Sequence, residues 1–439
     1  MKICVIPIDN RPVCYNLFKD ISAIDEDIEL YLPPRNMLGD LYKNANVEAL
    51  FDWLKKVPVV DNIVLSLDTM AYGGLIPSRR CPESFEQIKA RIDVLKEILK
   101  SKQAKIYAFS SIMRISNNNI NQEEKKYWSE YGTKLFEYSF NLHKFGKAKT
   151  DVPQEILDDY LNTRKRNFKI NKLYLEWQKE GLFETLVFSK DDCAEFGFNV
   201  REAQELEKLG GYTKTGADEI PLTLFARSVF GEMSVDIEFS EPEYKNLISN
   251  YEDVSIEKSV IGQLSLANIN VVDKKSSDIT LIVNNFKEKQ GEIVMKRKTE
   301  PYNKVLHLPN KNYMIADVRY ANGADNAFVE QLINKKYSDN FFGYSAWNTS
   351  ANTLGSLLCA AKIKFLAKKY NDEAFKRLQA IRLLDDWAYQ ANVRQTLDEP
   401  VKPNMSQFEK KVSNFLDYDI NAEYSFTWHR LFEIEVNLK

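Results

Sequence analysis

Histidine is scarce in this chain, which has only His143, His307 and His429. None of the three follows one of the apolar runs that predict buried strands, and GxSxG is missing. A serine or cysteine nucleophile needs a positioned imidazole. The sequence therefore argues against a Ser-His-Asp or Cys-His hydrolase, and equally against a histidine-rich zinc site.

Paired cysteines and long apolar segments are also lacking. The five cysteines are odd in number and show no CxxC spacing, which is typical of reduced thiols in a cytosolic protein. No run approaches the roughly 20 apolar residues that a membrane-spanning helix needs. The first run, KICVIPI, is too short for a signal peptide and is interrupted by Asp9 and Arg11. We therefore expect a cytoplasmic protein with no membrane partner.

An excess of one charge is missing as well. The 60 basic and 63 acidic residues leave a formal net charge of -3. Nucleic-acid-binding surfaces usually show a basic excess, so no nucleic-acid partner is expected. The 44% hydrophobic and 28% charged content is ordinary for a globular protein with a buried core, and 439 residues exceed the usual single domain.

Short apolar runs alternate with helical patterns along most of the chain. Continuous apolar runs are typical of strands covered on both faces, as in parallel sheets. The predicted strands cover residues 2–8, 28–32, 62–67, 105–109, 185–188, 235–239, 279–283 and 314–318. The alternation predicts an α/β fold with a mostly parallel sheet, either (β/α)-barrel-like or open and doubly wound.

Helical patterns separate these strands. Residues 83–100 place Ile88, Ile92, Leu95 and Leu99 on one face, which predicts an amphipathic helix. Residues 121–180 predict two or three inserted helices, and residues 353–389 are helical again. We predict a catalytic-type α/β domain over residues 1–350 with a helical insertion at about 121–180. A C-terminal helical segment, residues 351–439, is predicted to pack on it.

Polar side chains follow successive predicted strands. In both kinds of α/β fold, ligands bind at the carboxyl ends of the strands. A turn or a helix cap explains any one such residue, but the repeated combination of Asp with Arg favours a shared site. The residues concerned are Asp9, Arg11, Arg35, Asp68, Tyr72, Arg79, Arg114, Asp191, Asp192, Asp218, Glu219, Asp317, Asn322, Asp325, Trp347, Asn348 and Asn352.

The carboxylates among them are the catalytic candidates: Asp68, Asp191, Asp192, Asp218 and Glu219. Adjacent residues at a strand end point in opposite directions, so only one of Asp191 and Asp192 is expected to face a cleft. A carboxyl crowded by a second one has a raised pKa, which keeps a general acid protonated near neutrality. A helix N-cap is the alternative role for this pair.

The other strand-end residues are predicted to hold the substrate. The Gly-Gly pair after Tyr72 would let the backbone approach a ligand, and the Arg79 guanidinium would grip a carboxylate or phosphate. Trp347 would stack on a sugar while Asn348 and Asn352 bond its hydroxyls. A buried Trp beside helix caps is the alternative.

Several of these blocks resemble the signature of an uncharacterised bacterial family, domain of unknown function 4127 (DUF4127). They are IPIDNRPVCYN, LPPR, DTMAYGGLIPSRR, Asp191-Asp192, GADE, DVRYANGAD, AWNTSANTLG and DDWAYQ, and the resemblance runs from residue 3 to about residue 394. The family usually opens with Asp-Asp-Arg-Pro after its first strand, whereas this chain has Asp9-Asn10-Arg11-Pro12. That departure weakens a carboxylate role at the second position. The resemblance implies a bacterial cytoplasmic protein with its relatives' architecture, and it brings no activity.

Three functions fit these residues. The first is a carbohydrate-active hydrolase, in which two carboxylates serve as acid and as base or nucleophile without a cofactor. The second is a divalent-metal-assisted enzyme, with Asp9, Asp68 and Asp317 binding Mg²⁺ and arginines holding an anionic substrate. The third is a non-catalytic small-molecule binding protein. The expected partner is a small molecule such as a sugar, and no cofactor is predicted beyond the Mg²⁺ of the second hypothesis.

Overall fold

The strands of the protein are mostly parallel, which confirms the predicted α/β class. The computed structural model describes residues 1–191 and 193–439. Its strands are β1 (Lys2–Ile6), β2 (Glu29–Tyr31), β3 (Asn62–Ser66), β4 (Lys105–Ile112), β5 (Thr185–Lys190), β6 (Thr213–Thr215), β7 (Ser234–Phe239), β8 (Asn270–Val271), β9 (Ile279–Asn284), β10 (Gly291–Glu292), β11 (Tyr313–Asp317), β12 (Tyr320–Ala321), β13 (Phe341–Ser345), β14 (Ala422–Phe426) and β15 (Ile434–Leu438).

The helices occupy most of the intervening segments. They are α1 (Pro12–Ser22), α2 (Val47–Lys56), α3 (Leu67–Tyr72), α4 (Leu75–Arg80), α5 (Phe85–Ser101), α6 (Trp128–Phe145), α7 (Gln154–Lys179), α8 (Phe198–Lys208), α9 (Ile220–Ser228), α10 (Ile256–Leu266), α11 (Asn326–Ile333), α12 (Ser350–Leu366), α13 (Asp372–Arg382) and α14 (Ser406–Leu416). A π-helix, Leu383–Asn392, continues α13. Among the described residues no helix has both the length and the apolar character needed to cross a bilayer.

The chain divides into two compact units. The first unit contains residues 1–10, 29–221 and 251–253, and the second unit contains residues 11–28, 222–250 and 254–439. The predicted boundary at residue 350 falls at the first residue of α12, inside the second unit. Residues 121–180 belong to the first unit and contain α6 and α7.

The first unit contains a parallel sheet with the strand order β2-β1-β3-β4-β5-β6. This is the order of an open, doubly wound sheet, in which the winding reverses between β1 and β3. The predicted amphipathic helix is α5, whose Ile88, Ile92 and Leu95 are fully buried. The reversal point is where such sheets bind ligands, because the connections leave β1 and β3 in opposite directions.

The second unit repeats this strand order with β8-β7-β9-β11-β13, again all parallel. Its winding reverses between β7 and β9. The sequence did not predict β13, whose Phe-Phe-Gly-Tyr run includes Gly343 at φ 125°. Two smaller ladders, β10 with β12 and the antiparallel pair β14 with β15, complete the strands of this unit.

Candidate functional site

The predicted site residues are divided between the two units. The first unit holds Asp9, Arg35, Asp68, Tyr72, Arg79, Arg114, Asp191, Asp218 and Glu219. The second unit holds Arg11, Asp317, Asn322, Asp325, Trp347, Asn348 and Asn352. Asp192 lies outside the described residues.

Asp68 occupies the carboxyl end of β3, in the first turn of α3. Its Oδ2 accepts a hydrogen bond of 2.7 Å from the backbone N of Ser111, near the end of β4. The residue is only 2% exposed. Burial raises the pKa of this carboxyl to about 7, although the hydrogen bonds from Ser111 and the charge of Arg79 oppose the rise. Asp68 therefore gains and loses its proton near neutral pH.

Local hydrogen bonds fix Asp68 at the reversal point of the sheet. Ser66 caps α3 by accepting from the backbone N of Thr69 at 3.2 Å, so the helix begins where β3 ends. The Thr69 hydroxyl lies 2.9 Å from the carbonyl of Pro7 and 3.0 Å from that of Ile8, both just beyond β1. The start of α3 is thereby tied to the end of the neighbouring strand.

Three buried polar atoms around Asp68 lack a hydrogen-bond partner among the described residues. They are the hydroxyls of Tyr72 and Tyr174 and the Nε of Arg79. Burial and the nearby Asp68 raise the pKa of both tyrosines well above the usual value, so both remain hydroxyl donors at neutral pH. Unpaired buried donors are rare in native proteins and often mark a place where water or a ligand binds.

Gly73, the first residue of the Gly-Gly pair, makes its close approach to the protein's own chain. Gly73 has φ 86° and ends α3 in the left-handed conformation, donating to the Thr69 carbonyl at 3.1 Å. A Cβ on Gly73 would come within 2.8 Å of Asn44 Cβ and 3.0 Å of Ala45 N. The close backbone approach is therefore real, but it is made to a loop of the protein itself.

Arg79 and Arg114 form a charged cluster with three carboxylates. Asp191 Oδ2 accepts from Arg79 Nη2 at 3.0 Å and from Arg114 Nη1 at 3.2 Å. Glu124 Oε1 accepts from the same two residues at 3.2 and 2.9 Å. Glu123 Oε2 accepts from Arg114 Nη2 at 2.9 Å. The Arg79 side chain is 1% exposed and that of Asp191 20% exposed, so the cluster reaches the surface on one side.

Sequence reasoning missed Glu123 and Glu124. They lie between β4 and α6, in a segment that was predicted to belong to the helical insertion. The adjacent acids in QEEKK were the only signal, and such runs are usually solvated. Both carboxylates belong to the charged cluster because Arg114, just beyond the end of β4, donates a hydrogen bond to each of them.

The remaining predicted residues of the first unit lie at other strand ends. Arg35 Nε donates to the Asn10 carbonyl at 2.7 Å, just after β1. Asp9 is buried three residues beyond Ile6, as Asp68 lies three residues beyond Leu65, the β3 partner of Ile6. Asp218 and Glu219 follow β6. Glu219 is fully buried, and its Oε2 accepts from Ala217 N at 3.1 Å, whereas Asp218 is half-buried.

In the second unit, Asp317, Arg319 and Asp325 form a buried network at the end of β11. Asp317 accepts from Asn284 Nδ2 at 2.8 Å, from the Tyr344 hydroxyl at 2.9 Å and from Asp325 N at 2.8 Å. Burial and the charge of Asp325 raise the pKa of Asp317 to about 7. All three residues are at most 1% exposed. Their partners are protein groups, so the network braces the ends of β9 and β11.

Trp347 is buried, so its ring does not offer a face to a sugar in this structure. Thr349 caps α12 by accepting from Asn352 N at 3.3 Å, as in the alternative of a buried Trp beside helix caps. The carbonyl of Asn348 accepts from Asn322 N at 2.7 Å.

Arg11 pairs with Glu433 at 3.1 Å and stacks on Trp428, 5.4 Å from the ring centre. Among the described residues no three His, Cys, Asp or Glu side chains are grouped as a bound metal ion would require.

Comparison with known proteins adds one match. A family model described as protein of unknown function (DUF4127) matches residues 3–437. No curated protein matches the chain, and no solved structure matches it.

Proposed function

The chain belongs to the DUF4127 family, and we propose from its own residues that it is a hydrolase of a carbohydrate or glycoside. The reaction uses carboxylate acid–base chemistry in the first unit. Asp68 is the general acid, and Asp191 is the ionised carboxylate. This division of roles needs neither histidine nor a cofactor.

The burial of the Asp68 carboxyl at the carboxyl end of β3 is the observation that carries the proposal. A general acid works best when its pKa lies near the working pH, and burial raises that of Asp68 to about 7. The unpaired hydroxyls of Tyr72 and Tyr174 can donate hydrogen bonds to the oxygens of a sugar. Asp68 also lies where the winding of the sheet reverses, which is where such sheets bind ligands.

The charged cluster of Arg79 and Arg114 contains the second carboxylate, Asp191. Two guanidiniums pair with the Asp191 carboxylate, whose side chain is partly exposed. With Glu123 and Glu124 the cluster brings three carboxylates to Arg79 and Arg114. A carboxylate placed beside the substrate favours the cationic, oxocarbenium-like transition state of glycoside cleavage.

A panel of nitrophenyl glycosides tests the proposal with wild-type protein and Asp68→Asn. Asparagine keeps an acceptor for Ser111 N but cannot donate an acidic proton. We expect kcat/KM to fall about 10²- to 10⁴-fold. Wild-type activity should decline as pH rises through about 7, because the acid loses its proton there, and the variant should lack this decline.

Asp93→Asn on the exposed face of α5 is the matched control and should retain wild-type activity. Thermal unfolding of each variant distinguishes lost chemistry from lost fold. Full activity in a folded Asp68→Asn protein would remove Asp68 from the mechanism.

Binding or turnover of an anionic small molecule is a second candidate function. Arg114 is partly exposed, and its carboxylate partners Glu123 and Asp191 are as well, so an anion could replace one of them. Thermal shift with glucose 6-phosphate, inorganic phosphate and MgCl₂ tests this function. Stabilisation by the phosphates that Arg114→Met abolishes would favour it over a neutral glycoside.

A further inference from the structure

Lys214 lies in one row with the residues around Asp68. It pairs with Ser189 across β5 and β6, and Ser189 pairs with Ser111 across β4 and β5. Paired side chains of parallel strands point to the same face of the sheet. The Ser189 hydroxyl donates to that of Ser111 at 3.3 Å, and Ser111 N donates to Asp68. Lys214 therefore extends a polar row that crosses the sheet near its carboxyl edge.

The surroundings of Lys214 differ from those of its neighbour Lys190. The Lys190 ammonium pairs with Asp253, which also accepts from the Thr215 hydroxyl. Lys214 is half-buried, and in the part of the chain that the structure describes no hydrogen bond or ion pair joins its side chain to another residue. For a partly buried amine without a hydrogen-bond partner, the charged form is costly in free energy.

Several charged groups lie close enough to influence this amine. Burial lowers the pKa of Lys214 to about 8, and the charge of Lys190 lowers it further, while Glu219 and Glu252 oppose the change. Desolvation beside a second cation is a known way to activate a lysine as a nucleophile. At pH 7 the neutral fraction of such an amine is about three hundred times that of an ordinary lysine with a pKa of 10.5.

We propose that Lys214 is an amine nucleophile that forms an imine with the carbonyl group of an aldehyde or ketone. The lone pair of the neutral Nζ attacks the carbonyl carbon and forms the C–N bond. The carbonyl oxygen then leaves as water and takes both hydrogens of the amine, so no oxidant or reductant is required. This chemistry is independent of glycoside hydrolysis by Asp68, and the open-chain form of a reducing sugar is one carbonyl compound of this class.

Limited reductive alkylation tests the proposal on the whole protein without knowledge of its substrate. Wild-type protein is treated with glycolaldehyde and sodium cyanoborohydride at pH 7, and the modified lysines are mapped by peptide mass spectrometry. We expect Lys214 to react at least about tenfold faster than exposed Lys208 and ion-paired Lys190. Its rate should reach half its maximum near pH 8.

Glu219→Gln separates a reactive amine from a merely accessible one. Removing this negative charge should move the half-maximal pH of Lys214 labelling lower, without changing that of Lys208. Lys214→Arg should lose the fast-labelling site. Labelling of wild-type Lys214 no faster than that of Lys208 would overturn the proposal, and this measurement depends on no variant folding.

Discussion

At the residue scale, Arg319 shows how much can depend on one buried charge. Its guanidinium is 3.1 Å from Asn284 Oδ1, 3.2 Å from Glu241 Oε1 and 3.4 Å from Asp325 Oδ2. Replacing Arg319 with Met would leave the buried Asp325 without its counter-charge and would leave Glu241 with Lys304 alone. We expect the free energy of unfolding to fall by about 3–5 kcal/mol, measured by urea denaturation.

Lys287→Met provides the comparison for Arg319→Met. Lys287 pairs with the exposed Glu300 at 3.2 Å, and such surface pairs contribute about 0–1 kcal/mol. A similar loss for the two variants would mean that the Arg319 network is solvated and that its charges do not stabilise the ends of β9 and β11.

At the element scale, the junction of α3 and α4 depends on Gly73, and Gly146 at the end of α6 gives a matched control. Both glycines are left-handed, but only Gly73 has atoms within 3 Å of the position that a Cβ would take. We expect Gly146→Ala to cost about 1 kcal/mol from the backbone conformation alone. Gly73→Ala should cost roughly 1–3 kcal/mol more because it also pushes the neighbouring loop away.

Thermal and urea unfolding of the two alanine variants would measure this difference. Equal losses would show that the loop at Asn44 and Ala45 yields without cost. The packing of that loop would then have no part in holding α3, and with it Asp68, at the end of β3.

At the scale of the whole molecule, buried carboxyl groups set the dependence of stability on pH. Burial raises the pKa of four of them to about 6 or 7: Asp20, Asp68, Asp317 and Asp386. Between about pH 4 and pH 7 the folded protein keeps protons that the unfolded chain has lost. The free energy of unfolding should therefore fall as pH rises through this window.

Three lysines act in the opposite direction above this window. Burial lowers the pKa of Lys214, Lys362 and Lys364 to about 8, so between pH 8 and pH 10 the folded protein holds fewer protons than the unfolded chain. Burial also raises the pKa of the Cys4 thiol to about 12 and that of the Cys359 thiol well above its usual value, so these thiols oppose the lysines over the same range. Urea denaturation at pH 5, 6 and 7.5 would measure the fall below pH 7.5, and Asp68→Asn should make that fall shallower. A steady rise from pH 5 to 7.5 would contradict this account.

The α/β class and several elements were predictable from local sequence. The run at residues 62–67 predicts β3, and the spacing of Ile88, Ile92 and Leu95 predicts the buried face of α5. These properties follow from backbone periodicity and neighbouring side chains alone. The short strand β6 and the glycine-containing β13 carry weaker patterns and were not assigned.

Strand order and burial were decided only by the tertiary structure. Asp191 follows β5 and meets Arg79 of α4, although 112 residues separate the two along the chain. The tertiary structure also gives the strand-end acids different surroundings. Burial raises the pKa of Asp68 to about 7, whereas Asp191 lies between two guanidiniums. Composition and periodicity cannot encode such differences, because desolvation and charge pairing depend on which distant segments fold around each side chain.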